Sequence, residues 1–140
     1  MINLIVGPKG TGKTKKLTEM ANAAARDCFG AVLCVEKGDI STFRVPHSVR
    51  LIDTNDYEIK NFDELYGLIS GAVASNYDIQ KIFLDSSFRI GGKDPVQLFY
   101  FLKKLQKNIL SDKVALTITV SCKESELPEG FFDIGKNISL

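Results

Sequence analysis

The sequence predicts an α/β protein in three layers, a mostly parallel sheet with helices on both faces. Three observations carry that reading. Short apolar, partly β-branched runs recur along the chain, and stretches of helical periodicity separate them. Turn-forming or polar residues close most of those runs, and strands alternating with helices pack as a parallel sheet. In such sheets a ligand sits beyond the carboxyl ends of the strands.

Residues 2–6 form the first expected strand, ended by Gly7-Pro8. A helix follows Gly12, with Leu17, Met20, Ala21, Ala24 and Cys28 on one side and Gly30 placed as a left-handed stop. Residues 31–35 read as a second strand. A looser stretch with Gly38, Ser41, Thr42 and Pro46 leads to a short strand over 49–53. Asn61 is placed to cap the next helix, with Glu64 closing a capping box and Leu65, Leu68, Ile69 and Ala72 facing inward. Residues 81–85 are another apolar strand. Asp94-Pro95 opens a helix whose inner face is Leu98, Leu102, Leu105 and Ile109. A β-branched strand spans 114–120, and residues 132–140 suggest a last one with a turn at its middle.

The chain has 140 residues, 44% apolar and 25% charged, with a net charge of +1. That suits one globular domain over 1–140 and gives no electrostatic reason to expect nucleic acid or an anionic membrane. No apolar run approaches the ~18 residues of a membrane span. The first apolar run is short and enters a glycine turn, so no signal peptide is expected. Cys28, Cys34 and Cys122 lack both disulfide-framework and C-x-x-C spacing, which favours a reducing, cytoplasmic location.

The chemistry is concentrated in Gly7-Pro8-Lys9-Gly10-Thr11-Gly12-Lys13-Thr14-Lys15, which fits G-x-x-x-x-G-K-[ST]. Glycines let such a loop turn its backbone N–H groups inward around an anion, and the following helix adds its positive end. Lys13 then reaches the β- and γ-phosphates, and the Thr14 hydroxyl ligates Mg²⁺. An accidental glycine turn is the bland alternative. The four fixed positions coincide by chance in roughly 0.5% of chains this long, and the strand before and helix after the loop argue further against accident. ATP and Mg²⁺ are the expected ligands.

Asp85 closes an apolar strand, where a Walker-B acid holds Mg²⁺; a strand-ending turn is its bland reading. Glu36 closes another and is the candidate general base for an attacking water, against a simple solvated acid. Many P-loop ATPases carry this glutamate directly after the Walker-B aspartate, but Ser86 stands there. Alternation puts Thr117, Thr119 and Ser121 on one side of their strand, with Ser121 nearest the ligand edge as a γ-phosphate sensor. Arg89 and Lys93, around the paired glycines Gly91-Gly92 of an expected mobile loop, are candidates for stabilising transition-state charge. His47 is the only histidine and has no partners for a metal site. Lys103, Lys104 and Lys107 read as a solvated helix face without an aromatic stacking platform.

Together "GPKGTGKT", "LCVEKGD", "KIFLDSSFRI" and "FFDIGKNISL" resemble the minimal core of a RecA/KaiC-like P-loop NTPase. Glu36 and Asp85-Ser86 match the strand-ending residues of that family. The resemblance implies a five-stranded sheet in the order 5-1-4-3-2, with the fourth strand between the first and the Walker-B strand. More closely, the chain resembles small ATP-binding proteins of Firmicutes, some labelled PilT-like. It departs from a pilus retraction motor in having one histidine and no room for a second domain. The DNA-binding loops and oligomerisation segment of a full recombinase are also missing.

The expected function is Mg-ATP binding with slow or partner-stimulated hydrolysis, in which Lys13, Glu36 and Asp85 act catalytically. A homo-oligomer or larger assembly would supply an arginine in trans; membrane and nucleic acid are not expected partners. The alternative is a nucleotide-dependent switch without meaningful turnover. A small nucleoside or nucleotide kinase fits less well, because Arg26, Arg44, Arg50 and Arg89 are too spread to build an arginine-rich lid. No guanine-specifying N-K-x-D motif is present.

Overall fold

Apolar strands that lie side by side must be covered on both faces, and the helices between them do this. A computed structural model describes residues 1–38 and 44–140. Strands β1 (Ile2–Gly7), β2 (Ala31–Glu36), β3 (Val49–Asp53), β4 (Ile79–Leu84), β5 (Ala115–Ser121) and β6 (Lys136–Asn137) form one parallel sheet in the order β3-β2-β4-β5-β1-β6. Helices α1 (Lys13–Asp27), α2 (Phe62–Ser75), α3 (Ser87–Gly91) and α4 (Pro95–Asn108) connect them.

The sheet therefore has six strands, and its order differs from the expected five-stranded 5-1-4-3-2. Val49–Asp53 is a full member that pairs with β2 along its length and extends that edge. The adjacency that matters for the site is that β5 lies between β1 and β4. The expected strand over 132–140 is cut to Lys136–Asn137, because Phe131–Ile134 forms a 3-10 turn that buries Phe131. The stretch around Ser41 and Thr42 lies outside the described residues.

Alternation along the strands separates two cores. On one face Leu4, Leu33, Ile82, Leu116 and Ile118 pack against Leu65 and Ile69 of α2 and Leu98, Leu102 and Leu105 of α4. On the other, Ile5, Val32, Cys34, Val49 and Phe83 pack against Leu17 and Ala21 of α1. Asn61 caps α2 through Oδ1, which accepts from Glu64 N at 2.8 Å; the Glu64 carboxylate reaches back to Lys60 N at 2.7 Å rather than to the cap itself. Asp94 caps α4 through Val96 N, with Pro95 in the first turn.

Gly30 serves a different purpose from the expected left-handed stop. It has no positive φ; a Cβ there would lie 2.2 Å from the Asp78 carbonyl oxygen, so the residue permits close approach of two loops. Gly91 is buried at the end of α3 against the Phe62 ring, so only the part of the expected loop from Gly92 onward lies outside a helix. No helix among the described residues is long and apolar enough to cross a membrane.

Candidate functional site

The carboxyl ends of β1, β4 and β5 open into a cavity of about 730 Å³. The Gly7–Lys15 loop forms one wall. Gly10 (φ 83°) and Gly12 (φ 88°) take left-handed conformations that a side chain would strain. Gly12 precedes α1, whose first turn carries no side-chain cap and no acid, leaving the helix N-terminus available to an anion. Lys9, Gly10, Gly12, Lys13, Thr14 and Lys15 line the cavity. Gly7, Pro8 and Thr11 do not; the Thr11 hydroxyl donates to the Pro8 carbonyl at 2.7 Å and braces the loop from within.

Lys13 is folded back, its Nζ donating to the same carbonyl at 2.9 Å. Burial lowers its pKa, and the Asp85 carboxylate partly offsets this. The Thr14 hydroxyl donates to Asp85 Oδ2 at 2.9 Å. The other carboxylate oxygen, Oδ1, accepts from the Thr119 hydroxyl at 2.6 Å. Asp85 and Thr119 are both almost fully buried.

Glu36 stands at the end of β2, between two other acids. Strand register sets Glu36 beside Asp53 on one side, and Asp85 N donates to the Val35 carbonyl on the other, so three carboxyls follow one another across adjacent strands. Asp53 is turned to the amides of Gly38 and Asn55. Glu36 is only 4% exposed and does not line the cavity. Burial, then the hydrogen bond and charge of Asp85, push its pKa up to about 8, against the lowering influence of Lys37 N and Arg89. One of its oxygens accepts from Lys37 N at 2.7 Å.

Ser121 lies on the cavity wall as its position at the strand end suggested, together with Ser86, Arg89 and Lys93. Sequence reasoning missed Phe88, Pro95, Cys122 and Glu126, which also line it. It also undervalued Thr119. The alternation Thr117, Thr119, Ser121 held that signal, because the residue one pair inward from the strand end is the one opposite the neighbouring aspartate. His47 is exposed, and no cluster of three or more metal-binding side chains occurs among the described residues. Lys103 and Lys104 do more than solvate α4: their ammonium groups sit 4.2 Å from the ring centroids of Phe99 and Tyr66.

No protein-family model matches the chain, and no curated protein matches it. Solved structures do. One is the flagellar accessory protein FlaH from Methanocaldococcus jannaschii, 16% identical with a TM-score of 0.59. The match covers 95% of this chain and 65% of that one, so the chain spans less than two thirds of that protein's length. At such identity the likeness concerns the fold. What the two share is an α/β fold, a sheet of parallel strands with helices on both faces.

Proposed function

We propose that this chain binds Mg-ATP through its Gly7–Lys15 loop and hydrolyses it slowly, or only when a partner stimulates it. The observation that carries the reading is the meeting of Thr14 and Asp85, 71 residues apart, at 2.9 Å beside a cavity that also holds Lys13. Their donor chemistry fits Mg²⁺. Both are hard oxygen ligands, and Thr14 can keep its proton on Asp85 while a lone pair faces the cavity. Bound Mg²⁺ would neutralise phosphate charge.

The loop amides and the α1 N-terminus would hold the phosphates. Lys13 would exchange the Pro8 carbonyl for a phosphate oxygen. Arg89 and Lys93 line the same cavity and bring positive charge from within the chain; a further arginine from another subunit would account for stimulation. A soluble, cytoplasmic setting belongs to this reading.

The test is binding of a fluorescent ATP analogue with Mg²⁺, alongside phosphate release. Wild type should bind, and Lys13→Ala should weaken binding at least about tenfold, the loss of a charge-assisted contact, without lowering the melting temperature. A wild type that binds no nucleotide would sink the proposal. The second reading is a switch without meaningful turnover, and it is supported by the position of Glu36, which is buried and does not line the cavity. Glu36→Gln separates the two: retained binding with lost turnover identifies the enzyme, whereas turnover absent from both forms identifies the switch.

A further inference from the structure

Thr119 is 1% exposed and makes three hydrogen bonds to the turn that carries Asp85. Its hydroxyl donates to Asp85 Oδ1 at 2.6 Å and accepts from Ser86 N at 2.8 Å. Its carbonyl accepts from the Ser87 hydroxyl at 2.8 Å. A hydroxyl has a single hydrogen, and an amide N–H can only donate. The direction of the chain is therefore fixed: Ser86 N–H to Thr119, then Thr119 O–H to Asp85. Oδ1 is thereby engaged from the β5 side, and Oδ2 is left for Thr14.

The backbone is consistent with such a clamp. Ser86 has φ 56°, a left-handed conformation uncommon for a residue other than glycine. Strained residues of this kind persist where surrounding contacts over-determine them, and here Thr119 supplies two of those contacts through Ser86 N and Ser87 Oγ.

We infer that Thr119 is a positioning residue for the metal site: it holds the Asp85 carboxylate in the rotation that presents Oδ2 to Thr14 and the cavity. The inference rests on the reading of Thr14 and Asp85 as the Mg²⁺ pair. Thr119 would touch neither metal nor nucleotide, so its removal should alter how binding depends on metal, rather than nucleotide affinity in general. A merely structural threonine, filling space and satisfying one amide, would not separate those two quantities.

The test compares Thr119→Val, which removes the hydroxyl at nearly constant volume, with Thr119→Ser, which keeps it. Affinity for a fluorescent ATP analogue is measured across a Mg²⁺ titration and again in EDTA, and Mn²⁺ binding is followed by electron paramagnetic resonance. Thr119→Val should raise the Mg²⁺ and Mn²⁺ requirement roughly 10–100-fold, the range typical for losing a group that orients a metal ligand. Nucleotide affinity in EDTA should stay near wild type, and Thr119→Ser should restore the metal requirement. If Thr119→Val fails to fold, Thr119→Cys, a weaker donor of similar size, should show an intermediate shift. An unchanged metal requirement in the folded variant overturns the inference, as does an equal shift in Val and Ser. Nucleotide binding by wild type with an unaltered Thr119→Val leaves the Mg-ATP reading standing and removes only this one. Failure of wild type to bind removes both.

Discussion

The two faces of the sheet are built from the same strands and are chemically unlike. The face covered by α2, α3 and α4 is apolar from end to end, with Ile2, Leu4, Leu33, Val35, Ile82, Leu84, Leu116 and Ile118 all buried. The face under α1 is mixed: Ile5, Cys34 and Phe83 are buried apolar residues, while Asn3 and Thr117 are polar. At the carboxyl ends it is polar throughout, with Asp85 and Glu36 following Phe83 and Cys34, and Thr119 and Ser121 following Thr117. Because alternate residues point to opposite faces, the strand-end site residues share one parity. One face supplies the hydrophobic stabilisation, which lets the other hold buried carboxyls and a folded-back lysine.

That contrast can be broken by substitutions of decreasing effect. The largest belongs to the apolar face. Leu102→Ala, at a fully buried position of α4, should cost about 2–5 kcal/mol as a core truncation. Chemical denaturation would show it, and a cost below that of a surface change would mean the face is not the main source of stability.

The second effect lies on the polar face and has the opposite sign. Glu36 has its pKa raised to about 8 in the folded state from 4.5. The folded protein therefore holds this proton where the unfolded chain has lost it, so its contribution is full below about pH 4.5 and is lost as pH rises through about 8. Glu36→Gln, which mimics the protonated form, should melt like wild type near pH 5 and above it near pH 9, by an amount on the order of a few kcal/mol. Equal melting temperatures at pH 9, measured by calorimetry in EDTA, would show that Glu36 ionises freely.

Gly12→Ala should cost about 1–2 kcal/mol, because φ there is 88° although no atom lies within 4 Å of the added Cβ. A larger loss in thermal melting would point to a clash rather than backbone strain. The smallest effect is expected at Thr117, whose hydroxyl accepts from Asn3 Nδ2 at 3.2 Å. Thr117→Val should cost about 1 kcal/mol, and Asn3→Leu combined with it should recover part of that. A double-mutant cycle showing no coupling would deny the pair its role in joining β1 to β5.

Much of the local structure was legible in the chain. Asn61 and Asp94 cap α2 and α4 because short polar side chains satisfy the free amides of a first turn. Leu98, Leu102 and Leu105 point inward as their spacing requires. Less was legible where a residue acts through a distant neighbour. Gly30 looked like a helix stop and instead makes room for the Asp78 carbonyl oxygen. The end of the chain looked like a strand, but the aromatic residues before Gly135 curl into a turn that buries Phe131 beneath Phe99 and Phe132.

The sequence by itself determined the glycine loop after β1, because its consecutive residues and two positive-φ glycines are local properties. It also determined the parity that divides the sheet into an apolar and a polar face, since alternation follows from the strand alone. Only the tertiary structure decided which strands stand next to each other, and hence that Glu36, Asp85 and Thr119, far apart in the chain, meet in one row. The physical reason is that a carboxyl's proton and orientation depend on its neighbours. Register brings Asp85 between Glu36, whose pKa its charge helps to raise, and Thr119, whose hydroxyl occupies Oδ1 while Oδ2 accepts from Thr14.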